Sequence, residues 1–215
     1  GGGRSMKLYT YVAAPNHRRI EIYLKEKGLE PPFETVIIDL FKGEQQSPEY
    51  LAINPIGKIP SLVTDDGTII PQSLNIVEYV EELYPEPPMI GATPEERGRV
   101  KAIERLIDGE IMGTMGIMAQ NMMPLYADRF DQHPACVAYG RRRQELALEL
   151  LDRIVGDNTF VAGDRPTIAD ATLFATYEFA FLVDAPLDPK FRNLTRWHNM
   201  FSERPSAEGL TLPGA

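Results

Sequence analysis

A chain of 215 residues, 43% hydrophobic and 25% charged, is large enough to bury a core as one large or two small globular domains. Its formal net charge of -9 leaves no electrostatic footprint for nucleic acid or an anionic membrane surface, so neither is expected as a partner. A single cysteine, Cys136, and three scattered histidines exclude an internal disulfide framework, a Cys-x-x-Cys redox pair and metal-ligand spacing, and no apolar run reaches the roughly 18 residues of a membrane span.

Residues 1–5, ahead of Met6, read as a cloning remnant, and with no secretory apolar stretch the expected location is cytoplasmic. Lys7 to Val12 is a short β run, broken at Ala13-Ala14-Pro15-Asn16. Arg18 to Lys27 is helical, with Ile20, Tyr23 and Leu24 on one face and Gly28 as its stop. Phe33 to Ile38 is a second strand, so the opening is a parallel βαβ unit. A polar connection with a short helix from Pro48 follows.

Asn54, Pro55 and Gly57 then make a turn. Pro60 opens a strand through Val63, where the first position needs no ladder donor. Asp65-Asp66-Gly67 is a hairpin signal, Thr68-Ile69-Ile70 the return strand, and Pro71 is expected to block further pairing. Gln72 and Ser73 open a helix carrying Ile76, Val77, Val80 and Leu83 at helical spacing. The order βαβ then ββα is that of a thioredoxin-like domain, expected over 6–84.

Prolines 85, 87 and 88 mark a linker, expected over 85–93, and everything from 94 to 215 reads as helix. Thr93-Pro94-Glu95-Glu96 supplies a cap, a first-turn proline and acids. That helix is expected to run through Val100, Ile103, Ile107 and Ile111 towards Met123, weakened at glycines 109, 113 and 116. Tyr139 to Val155 is another helix. Thr167-Ile168-Ala169-Asp170 is a capping box ahead of a helix expected over Ala169–Leu182, apolar almost all round and therefore buried. Asp170 is expected to be structural, Trp197 a core anchor, Cys136 buried and His17 solvent-exposed. The second domain is an all-α bundle.

The run Asn54-Pro55-x-Gly57-Lys58-Ile59-Pro60, the Asp65-Asp66-Gly67 hairpin and the polar pair Gln72-Ser73 opening a helix resemble the glutathione-binding half of the cytosolic glutathione transferases. Thr167-x-x-Asp170 and Arg204-Pro205-Ser206 extend the resemblance over essentially everything from Met6 onward, and Pro15-Asn16 is similar to bacterial nu-like and theta-like members. The resemblance implies that Pro60 is cis, that Ile59 pairs with the cysteinyl backbone of glutathione as an added strand would, and that Gln72 and Ser73 hold its γ-glutamyl end at a helix N-terminus. It also implies Gln45 near the glycyl or cysteinyl part and Lys58 near the glycyl carboxylate. A homodimer, a detoxification role and a second, small hydrophobic electrophile between the domains follow from the same likeness. Met112, Met115 and Tyr126, with Tyr11, are the candidate lining of that second pocket, Met being adaptable to varied apolar compounds. No metal is expected.

The chemistry needs a thiolate from a thiol of pKa about 8.5, and a donor aimed at the sulfur favours it. The place where related enzymes carry Ser or Thr is Ala14 here, and Ala13 offers no hydroxyl either. Asn16, next to a helix start, is the first candidate donor, with the backbone N–H groups of that helix start, Tyr11 and His17 as alternatives. Three functions stay open: conjugation of glutathione to electrophiles or its use to reduce disulfides and peroxides; glutathione-dependent ether cleavage or isomerisation; and glutathione binding with little catalysis.

Overall fold

A computed structural model describes residues 6–209, so the remnant expected at residues 1–5 lies outside the described residues. The chain divides into two compact units, one running to Pro88 and one spanning Met89–Glu208, with the division inside the expected linker. Among the described residues the cis peptide bonds are Ile59–Pro60 and Glu86–Pro87.

In the first unit β1 (Lys7–Thr10) pairs in parallel with β2 (Glu34–Ile37) and antiparallel with β3 (Ser61–Val63), which pairs antiparallel with β4 (Ile69–Pro71). The sheet order is β2-β1-β3-β4. Leu8, Thr10 and Leu62 on its central strands are fully buried, as strands covered by helices should be. The helices are α1 (Pro15–Lys27), the short α2 (Pro48–Leu51) and α3 (Ser73–Leu83). Ile20, Tyr23 and Leu24 of α1 and Ile76, Val77 and Val80 of α3 form the buried faces expected from their spacing. A buried pair, Lys27 and Glu81, ties α1 to α3, joined by the Tyr23 hydroxyl at 3.3 Å from Glu81. Lys27 Nζ also donates to the Pro87 carbonyl at 2.7 Å, which anchors the end of the unit.

Two boundaries differ from expectation for physical reasons. α1 starts at Pro15 rather than Arg18, because Pro fits the first helical turn even though Ala14 supplies no cap. Pro71 does not block pairing but closes β4 opposite Ser61, since β4 is an edge strand with one row of N–H groups unpaired in any case.

In the second unit α4 (Pro94–Ile107) begins as expected: the Thr93 hydroxyl accepts from the Glu96 N–H at 3.1 Å. The long helix does not run through unbroken. A π-turn over Asp108–Met112, bracketed by Gly109 and Gly113, separates α4 from α5 (Gly113–Met122). Thr114 Oγ1 and Gln144 Nε2 both donate to the Ile111 carbonyl at this turn, at 3.0 and 3.1 Å. α6 (Pro134–Val155) starts at Pro134 rather than Tyr139. At Gly140 it packs so closely on α5 that an added Cβ would sit 3.0 Å from Met118.

α7 (Ile168–Glu178) opens with the expected capping box, but it ends at Phe179 and a 3₁₀ turn (Ala180–Val183) replaces its expected last turn. α8 (Arg192–Ser202) carries Trp197, which is fully buried. Asp170 is likewise fully buried, and its carboxylate accepts from Val161 N–H at 2.9 Å, Thr167 N–H at 2.9 Å and Trp197 Nε1 at 2.8 Å. It is therefore the structural centre of this unit, as its place in the capping box suggests. Cys136 is half-buried, not buried, because it lies on the first turns of α6, whose neighbours Ala135 and Ala138 are exposed. No helix among the described residues is long and apolar enough to cross a membrane.

Candidate active site

At the N-terminus of α1 the side-chain geometry is specific. Asn16 and Arg19, three apart on α1, lie on one face. Arg19 Nη1 donates to Asn16 Oδ1 at 3.3 Å and to Ser73 Oγ at 2.8 Å, and Ser73 Oγ donates to the same Asn16 Oδ1 at 3.0 Å. Arginine has no acceptor, so the amide atom it touches must be the oxygen. The Asn16 amide is thereby pinned with Oδ1 on Arg19 and Ser73, and its Nδ2 has no partner among the described residues. The N–H groups of Asn16 and His17, at the positive end of the α1 dipole, also have none.

At the start of α3, Gln72 adopts φ 72 and ψ 134, a conformation that non-glycine residues rarely hold. Its side chain is exposed and without a partner among the described residues, while the N–H of Ser73 begins the helix unpaired. Ser73 itself is buried, and its hydroxyl is committed to Asn16 and Arg19. So Ser73 offers a ligand its backbone N–H rather than its side chain. Arg19, also buried, brings a cation to the same helix end.

The segment entering β3 is held from below. The Tyr50 hydroxyl donates to the Lys58 carbonyl at 2.5 Å and pairs with Ser61 Oγ at 3.1 Å; Asn54 Nδ2 donates to the same carbonyl at 3.0 Å. Between these anchors the Ile59 backbone makes no hydrogen bond among the described residues, and Lys58 is exposed with its ammonium unpaired. The Ile59–Pro60 bond is cis, as the resemblance implied. Gln45, buried on a single 3₁₀ turn (Glu44–Gln46), has its Oε1 closed off from solvent without a partner. A buried acceptor of that kind costs about 1–3 kcal/mol unless something donates to it.

Tyr11 is buried, its ring edge-on to Phe41 at 5.9 Å, and burial followed by the Asp39 carboxylate pushes its phenol pKa up. A phenol that keeps its proton remains a donor, so Tyr11 stands as an alternative to Asn16. His17 is not the surface histidine expected. It is buried, with Nδ1 at 2.9 Å from Thr10 Oγ1 and Nε2 at 3.4 Å from Glu21. The Glu21 carboxyl sits at about 2 against an ordinary 4.5: burial alone raises it, but hydrogen bonds from His17 and Lys25 and the Arg18 and Lys25 charges together outweigh that. A depressed carboxyl stabilises the fold fully above its unfolded pKa and loses that contribution as pH falls. Wild type should therefore exceed Glu21→Gln by roughly 2 kcal/mol at neutral pH, allowing for partial solvent screening, and more than half of that gap should close by about pH 3. Urea titrations at the two pH values check it; a gap that is constant with pH contradicts it.

The candidate second-pocket residues Met112, Met115 and Tyr126 all lie on the second unit. Met115 packs in a core cluster with Met118, Ala180 and Val183 and presents little surface. Met112 is half-buried on the π-turn, and Tyr126 is half-buried with its ring 6.0 Å from Phe130. Among the described residues no group of three or more His, Cys, Asp or Glu is placed to hold a metal ion.

Residues 8–88 match the glutathione S-transferase N-terminal domain, and residues 114–205 match the glutathione S-transferase C-terminal domain. The chain belongs to the glutathione S-transferase family. Among its relatives, glutathione S-transferase 2 of Saccharomyces cerevisiae is 30% identical, over 97% of this chain and 92% of the other. Maleylacetoacetate isomerase of Pseudomonas aeruginosa is also 30% identical, over 98% of this chain and all of the other. The crystal structure of Gtt2 from Saccharomyces cerevisiae superposes with a TM-score of 0.85 at 29% identity, covering 93% of this chain and 97% of that one. A glutathione S-transferase domain-containing protein from Marinobacter aquaeolei gives 0.87 at 29% identity, covering 94% and 100%. Yeast, bacterial and plant proteins all appear among the relatives, so the likeness does not single out the nu-like or theta-like groups.

Of the residues expected to bind glutathione, Asn16 lies against Ser73, and Lys58, Ile59 and Pro60 follow one another on one clamped segment. Sequence reasoning missed Arg19, Tyr50 and Ser61. The i,i+3 spacing of Asn16 and Arg19 was the available signal for the first; the other two act through partners that only the fold reveals.

Proposed function

We propose that this transferase binds glutathione on its first unit, favours the thiolate through the Asn16 amide, and passes the sulfur to small apolar electrophiles. The observation that carries the reading is the pinned Asn16 amide, with an unpaired Nδ2 beside the unpaired N–H groups of α1. A donor aimed at the sulfur and a positive helix end both favour the charged form. The γ-glutamyl carboxylate is assigned to the start of α3, held by the Ser73 N–H and the Gln72 side chain with Arg19 behind them. Ile59 extends the sheet with the cysteinyl backbone, Lys58 meets the glycyl carboxylate, and a donor on the tripeptide satisfies Gln45. Arg19 and Lys58 supply the local positive charge that an anion needs against a net charge of -9.

The second substrate is a small hydrophobic electrophile. The thiolate attacks its electrophilic centre, the sulfur–carbon bond forms as the leaving group departs with the bonding pair, and the thioether dissociates. Disulfide or peroxide reduction uses the same thiolate. The likeness to the Pseudomonas aeruginosa maleylacetoacetate isomerase supports a second reading, a glutathione-dependent isomerase in which the thiolate adds to and leaves the same molecule. A cytoplasmic homodimer belongs to the same proposal, supported by the exposed Phe41 and Ile56 of the first unit. Light scattering should give twice the single-chain mass.

Retention on immobilised glutathione, with turnover of 1-chloro-2,4-dinitrobenzene, tests the reading. Retention with measurable turnover is the expected result; retention without turnover of that electrophile, of a disulfide or of a double-bond isomer favours a glutathione carrier.

A further inference from the structure

The first turn of α1 carries the donors assigned to the thiolate, yet its start is not fastened in the usual way. The N-cap residue is Ala14, which has no side-chain acceptor for the N–H groups of the turn. A Ser, Thr, Asn or Asp at that place would secure them, and Ala does not. Free N–H groups suit an anion, but a helix end without a cap frays unless something else holds it.

His17 supplies the hold. It is the third residue of α1 and is buried. Its Nδ1 lies 2.9 Å from Oγ1 of Thr10, the fully buried last residue of β1. Its Nε2 lies 3.4 Å from the Glu21 carboxylate one turn on, which Arg18 at 2.7 Å and Lys25 at 3.1 Å hold in turn. The imidazole thus closes the loop of residues 11–14, linking the end of the strand to the start of the helix. With both ring nitrogens engaged, His17 has no donor left for the sulfur.

The link does not depend on the charge of the ring. Glu21, its pKa lowered to about 2, is ionised at neutral pH and accepts from an Nε2 that keeps its hydrogen. The Thr10 hydroxyl can donate to a bare Nδ1 or accept from a protonated one.

We propose that His17 is a positioning residue for thiol activation: through Thr10 and Glu21 its imidazole takes the place of the missing cap and keeps the Asn16 amide and the free N–H groups of α1 directed at the sulfur. This rests on the reading that those donors steady the thiolate of bound glutathione.

The test is thiolate absorbance against pH with glutathione bound to wild type, Thr10→Val and His17→Leu. Thr10→Val decides even if His17→Leu does not fold: it removes only a hydroxyl and lies outside the set assigned to glutathione. Each variant should raise the midpoint of the bound thiol by about half a unit or more, because a donor of ordinary strength is worth about one unit and is here misdirected rather than deleted. Affinity for S-methylglutathione, which has no thiol to ionise, should stay within about twofold of wild type. A residue that only stabilised the fold would lower the melting temperature and leave the midpoint where it is. If the wild-type midpoint lies below the free-thiol value and Thr10→Val leaves it unchanged, this inference alone is overturned. A loss of S-methylglutathione affinity as large as the loss of thiolate overturns it too, since the whole site would then be disturbed. A wild-type midpoint at the free-thiol value brings down the underlying reading and this inference together.

Discussion

Asp170→Ala should remove a large share of the stability of the protein. The wild-type carboxylate takes three buried donors: the Val161 and Thr167 N–H groups and the Trp197 indole N–H. All three lose their acceptor in the variant, at about 1–3 kcal/mol each, and the α7 cap goes with them. A net loss of about 4 kcal/mol is a large share of the roughly 5–15 kcal/mol of a typical domain. Asp170→Asn keeps the volume and one acceptor but turns a donor towards another donor, so it should lose about 2–3 kcal/mol. Urea unfolding followed by Trp197 fluorescence measures both, since the indole is a direct partner. A loss under 1 kcal/mol in Asp170→Ala would contradict this account of the second unit's core.

Arg19→Met should be the most damaging single change to glutathione binding. Its guanidinium is buried and holds both Ser73 Oγ and Asn16 Oδ1. Removing it takes away the cation behind the α3 N-terminus and frees the Asn16 amide to turn. A hydrogen-bonding contribution to a charged group is about 1.5–3 kcal/mol, so affinity should fall roughly 10- to 100-fold. Arg19→Lys keeps the charge but not the planar fork that reaches two acceptors, and should recover affinity only partly. Calorimetry with glutathione separates the two variants, and a melting curve for each shows how far the fold shares the loss. Wild-type affinity in Arg19→Met would remove Arg19 from the site.

What the sequence revealed tracks how local each feature is. The Asp65-Asp66-Gly67 hairpin, the helix after Ser73 and the Thr167–Asp170 box are written in neighbouring residues, and each forms as expected. The starts of α1 and α6 were hidden because Ala14 and His133 supply no capping hydrogen bond, so only the prolines mark them. The π-turn was half legible: glycines 109 and 113 signalled weakness, but the groups that close it come from α5 and α6. His17 and Arg19 look like solvated polar residues along α1, and only folding brings Thr10 and Ser73 to them, Ser73 from 54 residues away. Met115, a candidate for the lining of the second pocket, packs in the core beside Met118, a burial that its place on a helix does not announce.

The central proposal is that the Asn16 amide steadies the thiolate of bound glutathione. The most direct test is the ultraviolet absorbance of the thiolate against pH, with glutathione bound to wild type, Asn16→Ala and Tyr11→Phe. The wild-type midpoint should lie below the free-thiol value of about 8.5. Asn16→Ala should raise it by about one unit, which is about 1.36 kcal/mol and the mark of one donor of ordinary strength, with turnover at neutral pH falling up to about tenfold. Tyr11→Phe should leave the midpoint where it is. A bound thiol that titrates like free glutathione in all three proteins, or a midpoint that moves with Tyr11 and not with Asn16, would contradict the account.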